Sequence, residues 1–286
     1  MSAEDAASDE TAPAGVNRGQ DVSQEGLARA RRAMILGRIL QVGTIVGILL
    51  VWEGVVRFFD IQIIFLPSVS LIAETFWDMV WDGTLPWHTV VTVRRVLIGF
   101  ASAAVLGVGV GVGMGMSRTF RNVCDPVIAA LYPLPKITLI PLLLIWLGSG
   151  EAYKIIIAGG TAFFPIVINT FNGIRQVDEG LIMAARDLGA SERQIQIDVM
   201  MHAATPSIFA GFRLGMGVAI ILTVASEMIA GQEGLGRILV ESGAILETEK
   251  VFATLFLMAI LGIVVTKAQD WVDVHFASWA FEARDR

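Results

Sequence analysis

Few side chains in this chain could make or break a bond. Three histidines, two tyrosines and one cysteine, Cys124, are spread over 286 residues. His88 and His202 lack a partner at metal-ligand spacing, such as a histidine four residues on, so no metal site is expected. A lone cysteine permits no intrachain disulfide and leaves the redox compartment unread. The run Gly107-Val-Gly-Val-Gly-Val-Gly-Met-Gly115 looks at first like a phosphate cradle. A dinucleotide fingerprint needs glycines at i, i+2 and i+5, an odd offset that alternating glycines cannot supply. A P-loop needs Gly-Lys before Ser or Thr. None of the four lysines (Lys136, Lys154, Lys250, Lys267) follows a glycine. On a helix, Gly107, Gly111 and Gly115 share one face, the small-xxx-small spacing that brings two backbones together in lipid. A flexible gate is the other reading of that run. Without a phosphate loop, any uphill movement must be driven by an ion gradient or by a separate ATPase.

The elements that position these residues are apolar. Hydrophobic residues make up 55% of the chain and charged ones 17%, against roughly 25% charged in a soluble domain. Mean hydropathy is +0.67. This excludes a disordered chain, a basic nucleic-acid binder and an ordinary soluble enzyme. The first 25 residues hold six acids against Arg18, so most of the net charge of −6 belongs to a tail. Residues 1–27 read as a disordered acidic tail and not as a secretory signal, because the apolar stretches begin too late.

Six apolar stretches follow, at about Ile39–Val56, Val96–Met116, Val127–Leu147, Ile155–Ile174, Ile208–Ile229 and Val251–Thr266, the last being the shortest. Each approaches the ~20 residues that span a bilayer core, and backbone in lipid must bond internally, so all are read as helices. The expected class is an all-α, polytopic membrane protein. Its membrane domain covers residues 28–275, with a short tail at 276–286. If the six alternate, most Lys and Arg fall on one side. That side holds both termini and the loop of about residues 175–206, which are therefore placed in the cytoplasm. Arg57, Arg94, Arg95, Lys154, Arg237 and Lys250 are exceptions near helix ends, read as snorkelling. The segment Asp60–Val93, with four acids and no Lys or Arg, is read as an external excursion. Within it, Leu71–Trp81 suits either a helix lying at the interface or one packed over the bundle.

Charges near the spans leave several readings open. Lys136 either attracts an anion along a path or pairs with a carboxylate or a helix end where Pro133 and Pro135 open the backbone. Glu227 is either a helix-end anchor or part of a gate. Glu53 can pair with Arg57 one turn on, or with Arg94 or Arg95. Arg213 is read as snorkelling to the near surface.

The loop Leu181–Pro206 is too polar to span. Leu181, Ala185 and Leu188 share a face of a short helix that Gly189 stops. Ser191 caps a second helix carrying Ile195 and Val199 on one face, and Pro206 marks the entry to the fifth span. Such an elbow suits either docking in a partner's groove or packing on its own bundle.

The stretch Ala184-Ala185-Arg186-Asp187-Leu188-Gly189-Ala190-Ser191, followed by Pro206, resembles the Glu-Ala-Ala loop of ABC importer permeases. Four further pieces are similar to the nitrate, sulfonate and taurine branch. They are Leu66-Pro67-Ser68, Thr92–Phe100, Tyr132–Lys136 with Ile140–Leu143, and Ser226–Ile229 with Gly234-Leu235-Gly236. The likeness spans roughly residues 35–275. Met183 stands where the pattern begins with Glu, and His202 where a proline is usual.

The resemblance implies a six-helix type I permease bundle with a cytoplasmic helix-turn-helix coupling loop in a bacterial inner membrane. Ile182, Met183, Ala184, Ala185, Arg186, Asp187, Leu188, Gly189, Ala190, Ser191, Ile195 and Val199 would dock in a cleft of the ATPase. It implies two ATP-binding subunits, a second permease copy forming a homodimer, and a periplasmic or lipid-anchored substrate-binding protein. ATP and Mg would sit on the partner ATPase, with no cofactor on this chain, no catalytic residue and no nucleic-acid partner. The cargo would be a small organic or inorganic anion such as a sulfonate, taurine or nitrate. The alternative is an ion-gradient-driven secondary transporter, which would show internal repeats and intramembrane carboxylates. A membrane enzyme would need paired acids, a nucleophile with a base, or a metal cluster. A channel would need a polar filter ring. None of these is visible in the sequence.

Overall fold

The computed structural model describes residues 18–282, and every regular element among them is helical. Residues up to Asp60 form one body and residues from Ile61 onward a second. The first consists of α1 (Arg18–Phe58), whose apolar portion Ile35–Phe58 is long enough to span a bilayer. The helix thus includes residues 18–27 of the expected acidic tail. Residues 1–17 and 283–286 lie outside the described residues.

The second body begins with α2 (Val69–Trp81), started by Ser68, whose hydroxyl accepts the Leu71 N–H. Its Ile72 and Met79 are buried, and Phe76 meets Phe256 edge to face. Trp77 and Trp81 on the other face are exposed. The helix therefore packs over the bundle and presents its tryptophans outward.

Three long helices form the centre: α3 (Thr84–Met116), α6 (Glu151–Arg175) and α9 (His202–Ala230), with α6 packed between the other two. The glycine run explains the closeness of α3 and α6. A Cβ on Gly107 would lie 2.8 Å from Ile166 Cγ2, one on Gly111 2.6 Å from Thr170 Cβ, and one on Gly115 2.7 Å from Ile174 Cγ2. Gly113 abuts Phe120, whereas a Cβ on Gly109 would meet nothing within 4 Å. The face Gly107-Gly111-Gly115 is thus a helix-packing seam. Around it lie Val96, Ala103, Ala158, Ala162, Ile166, Met216 and Ala219.

The third expected span is not one helix. α4 (Arg118–Leu131) and the pair formed by a 3₁₀ turn (Lys136–Leu139) and α5 (Ile140–Leu147) are bent by 88°. Pro133 and Pro135 cannot donate to the helical ladder, and Pro135 itself is extended at φ −66, ψ 104. Among the described residues, five helices are long and apolar enough to cross a membrane, or six if the bent pair counts as one. The last, α11 (Thr248–Glu282), follows the short α10 (Leu235–Ala244). At 35 residues it extends well beyond the short apolar stretch Val251–Thr266 that it contains. Ile145, Ile221 and Ile263 are exposed, a surface suited to hydrocarbon and not to water.

Candidate functional site

Two structured regions stand at opposite ends of α9, and the elbow is the first. Asp178 caps α7 (Glu179–Asp187) by accepting the Gly180 N–H at 2.6 Å. Gly189, at φ +84, ends the helix. Its N–H bonds Arg186 O at 2.9 Å and the Ala190 N–H bonds Ala185 O at 3.0 Å, satisfying two of the last carbonyls. Ser191 then starts α8 (Glu192–Gln194) with a capping box. The Gln194 side-chain carbonyl accepts the Ser191 N–H at 2.9 Å, and the Ser191 hydroxyl accepts the Gln194 N–H. Arg186 and Glu192 tie the two arms at 2.8 Å.

The second arm differs from expectation. α8 runs into a π-helical stretch, Ile195–Met201, and on through Pro206 into α9, so Glu192–Ala230 is one continuous rod. Pro206 lies within the helix and does not mark its start. The wider π turn immediately upstream relaxes the ladder before a residue that has no N–H to give.

The side chains of the elbow divide. Ile195 is buried, and Ile182, Ala185, Ala190 and Val199 are half-buried. Met183, Ala184, Arg186, Asp187, Gly189 and Ser191 are exposed. Leu181 and Leu188 are apolar yet open, Leu188 at 89%. Of the expected shared face, Leu181 and Leu188 therefore point outward while Ala185 is half-buried, and the second arm packs on the bundle through Ile195.

The remote end of α9 carries a polar clasp. Glu227 is fully buried. Arg95 Nη1 on α3 donates to it at 2.7 Å, the Thr92 hydroxyl donates at 3.0 Å, and the Gly236 N–H donates at 3.1 Å. The Thr92 hydroxyl also accepts the Leu235 N–H at 2.9 Å, and His88 Nδ1 accepts the Gly234 N–H at 2.8 Å. Gly234 has φ +111 and lies against the Glu227 carboxyl so closely that a Cβ would overlap it. The turn 231–234 is thus wound directly onto the acid.

Arg95 has further duties. It donates to the Glu233 carbonyl at 2.7 Å and grips Glu151, the first residue of α6, through Nε at 2.8 Å and through Nη2. Arg94 and Lys154 reach the same carboxylate at 3.0 and 3.3 Å. The Tyr153 hydroxyl donates to the Ser226 carbonyl at 3.1 Å. Arg95 and Lys154 therefore do not snorkel: both are buried and paired. One guanidinium joins α3, α6, α9 and the turn after it.

Lys136 sits at the break of the third span. Its ammonium donates to the Leu131 and Tyr132 carbonyls and lies over the Phe164 ring at 4.5 Å. It closes the end of α4, whose last carbonyls have no helical partner. Glu53 pairs with Arg57 one turn on. Arg213 joins α9 to α11 by binding Asp270 at 2.7 Å and Asp273 at 2.5 Å, in place of snorkelling. Among the described residues, no group of three or more His, Cys, Asp or Glu is placed to hold a metal ion.

Sequence reasoning named Glu227 but missed its partners. The available signal was that Arg95, Glu151, Lys154 and Glu227 all fall at one end of alternating helices, and charges at depth must pair.

Residues 103–277 match the family described as binding-protein-dependent transport system inner membrane component. The chain is 33% identical over 231 residues to the taurine transport system permease protein TauC of Escherichia coli K12, covering 79% of this chain and 84% of that protein. It is 35% identical over 217 residues to SsuC of the same organism, named for aliphatic sulfonates, covering 76% and 82%. It is 33% identical over 218 residues to the riboflavin transport system permease protein RibX of Chloroflexus aurantiacus, covering 76% and 81%. Among solved structures, a chain of the MetNI methionine ABC transporter in an inward-facing conformation shares the fold. Its TM-score is 0.62 at 20% identity, over 70% of this chain and 98% of that one.

Proposed function

The chain belongs to the family of binding-protein-dependent transport system inner membrane components, and from that premise we propose that it forms the route for a small organic or inorganic anion, moved by ATP hydrolysis on a separate subunit. It is an ABC importer permease of the nitrate, sulfonate and taurine branch, a multi-pass inner-membrane protein with the type I fold, and a transport component in place of an enzyme. Sulfonate or taurine is the favoured cargo, following the names of two relatives, with nitrate as a further candidate.

One observation carries the coupling half of this reading: the elbow leaves Leu181, Met183 and Leu188 open to solvent on a rigid, fully capped turn. Exposed leucines on a stiff scaffold suit insertion into a groove. The residues Ile182–Ser191, with Ile195 and Val199 bracing the arm behind them, would dock in an ATP-binding subunit that holds ATP and Mg. Two such subunits and a second permease copy would complete the membrane assembly, and an external binding protein would deliver the anion. Both termini and the elbow would face the cytoplasm, as the Lys and Arg distribution favours. ATP shifts the inward-open and outward-open states only through its preference for the closed ATPase dimer. This chain contributes a two-state bundle and a lever.

The test is reconstitution in liposomes with the ATP-binding subunit and the binding protein, with taurine and nitrate supplied as probes. ATP-dependent accumulation that disappears when the ATPase is omitted is expected. Accumulation driven by an ion gradient with no ATPase present would overturn the reading.

A further inference from the structure

The start of α10 presents three successive amides, and each finds its acceptor on a side chain of another helix. The first N–H groups of a helix have no carbonyl within it, and the cap residue Gly234 has no side chain to offer them. The Gly234 N–H donates to His88 Nδ1 at 2.8 Å, the Leu235 N–H to the Thr92 hydroxyl at 2.9 Å and the Gly236 N–H to Glu227 at 3.1 Å. His88 and Thr92 stand one turn apart on α3, so one face of that helix holds the turn 231–234 in place.

His88 differs in kind from the other two acceptors. A backbone N–H can only donate, so Nδ1 is the bare nitrogen and the neutral ring carries its proton on Nε2. A second proton has only Nδ1 to occupy. There it opposes the Gly234 N–H, donor against donor, and sets a positive charge at the positive end of α10. His202 is the opposite case. Its Nδ1 faces the Ile197 carbonyl at 3.3 Å, which can only accept, so protonation leaves that bond intact.

His88 is half-buried and lines a pocket of about 520 Å³ with Asp82 at the end of α2, Glu241 on α10, and Glu247 and Lys250 at the start of α11. Asp82 accepts the Thr84 N–H, Glu241 pairs with Arg237, and Glu247 pairs with Lys250. Three carboxylates and two cations leave one negative charge on that wall for an imidazolium. Behind the turn stand Glu227 and Arg95, already paired with each other.

We propose that His88 is a proton-operated latch on the turn 231–234. The neutral ring holds the Gly234 amide and seats the turn on the Glu227 carboxyl. The protonated ring has no lone pair for that amide and releases the turn, while Glu227 keeps Arg95 and Thr92. The latch is therefore closed at neutral and alkaline pH and opens as pH falls through the range in which imidazole titrates, roughly pH 8 to 5. It requires neither ATPase nor cargo and stands apart from the import reading.

The test uses the full chain in nanodiscs. Amide exchange over residues 231–236, corrected for the pH dependence of exchange in an unstructured peptide, is expected to quicken about tenfold between those two pH values, as befits one stranded buried donor. In His88→Asn, whose side-chain carbonyl takes the place of Nδ1 and does not titrate, protection should stay level. In His88→Ala it should be low throughout. The chain has three histidines, so 15N-histidine labelling gives three sets of imidazole signals. At high pH His88 should show a bare Nδ1 and His202 a protonated one, and protonation of His88 should coincide with the loss of protection. A protonated Nδ1 on His88 at high pH, wild-type exchange that ignores pH, or a quickening that persists in His88→Asn overturns the proposal, the last assigning the effect to the acids. If His88→Ala does not fold, the wild type and His88→Asn still decide. A pH response that persists in a protein without ATP-driven uptake would leave the latch intact and remove only the transport reading.

Discussion

Arg95 and Glu227 are 132 residues apart in the chain and 2.7 Å apart in space, each sealed from solvent. Arg95→Met strands Glu227 and weakens the hold on Glu151. Breaking one side of a buried pair costs roughly 3–5 kcal/mol, so a large fall in thermal midpoint is expected. Glu227→Gln keeps the acceptor for Thr92 and Gly236 and should cost less. In a double-mutant cycle the two changes should be far from additive, as read by thermal unfolding of the purified protein. Additive losses would mean the pair is not coupled.

The glycine seam separates two substitutions of identical chemistry. Gly111→Ala places a methyl 2.6 Å from Thr170 Cβ, whereas Gly109→Ala meets open space. Overpacking typically costs about 1–3 kcal/mol, while Ala in a helix gains up to about 1 kcal/mol over Gly. Gly111→Ala should therefore lower the midpoint of unfolding and Gly109→Ala should leave it level or raise it.

Lys136 is expected to act on stability. Lys136→Met removes the donor that satisfies Leu131 and Tyr132 at the end of α4, a charge-assisted contact worth about 1.5–3 kcal/mol. Lys136→Arg should recover most of it. Comparing uptake per folded molecule with the unfolding midpoint distinguishes this from a role on the path: a loss of uptake at full stability would favour the path.

At the elbow, Leu188→Asp should leave folding unchanged, because Leu188 is 89% exposed. If it docks in an ATPase groove, losing a buried leucine worth about 1.5–3 kcal/mol should weaken association about tenfold or more. Gly189→Pro, or a bulky residue at Ala185, should uncouple ATP hydrolysis from uptake. Met183→Glu, which restores the family pattern, should tighten association. Co-purification and ligand-stimulated ATPase activity measure each, and unchanged values would contradict docking through this face.

The apolar stretches were legible because lipid leaves the backbone no choice but helix, and the seam because its spacing of four is visible in the letters. The ends of the helices were less so. Arg95 and Glu151 interrupt the apolar count, so hydropathy ended the second and fourth stretches early, although paired charges let both helices continue. The break in the third stretch was marked by Pro133 and Pro135, but composition counts an apolar proline as membrane-compatible. The clasp joins residues from four distant segments, and no local period reports such a meeting. The fate of Pro206 depended on the π turn ahead of it, which no propensity signals.

That π turn has a consequence for chain length. Seven residues wound this widely, Ile195–Met201, hold about one residue more than regular α-helix needs over the same rise. Deleting a single residue there could be absorbed by tightening the coil, with Ile208 and Glu227 keeping their compass headings. The same deletion between Ile208 and Glu227 would rotate one end against the other by about 100° and turn the acid away from its guanidinium. The spare residue makes this the place where the protein can tolerate a change in register between its two ends.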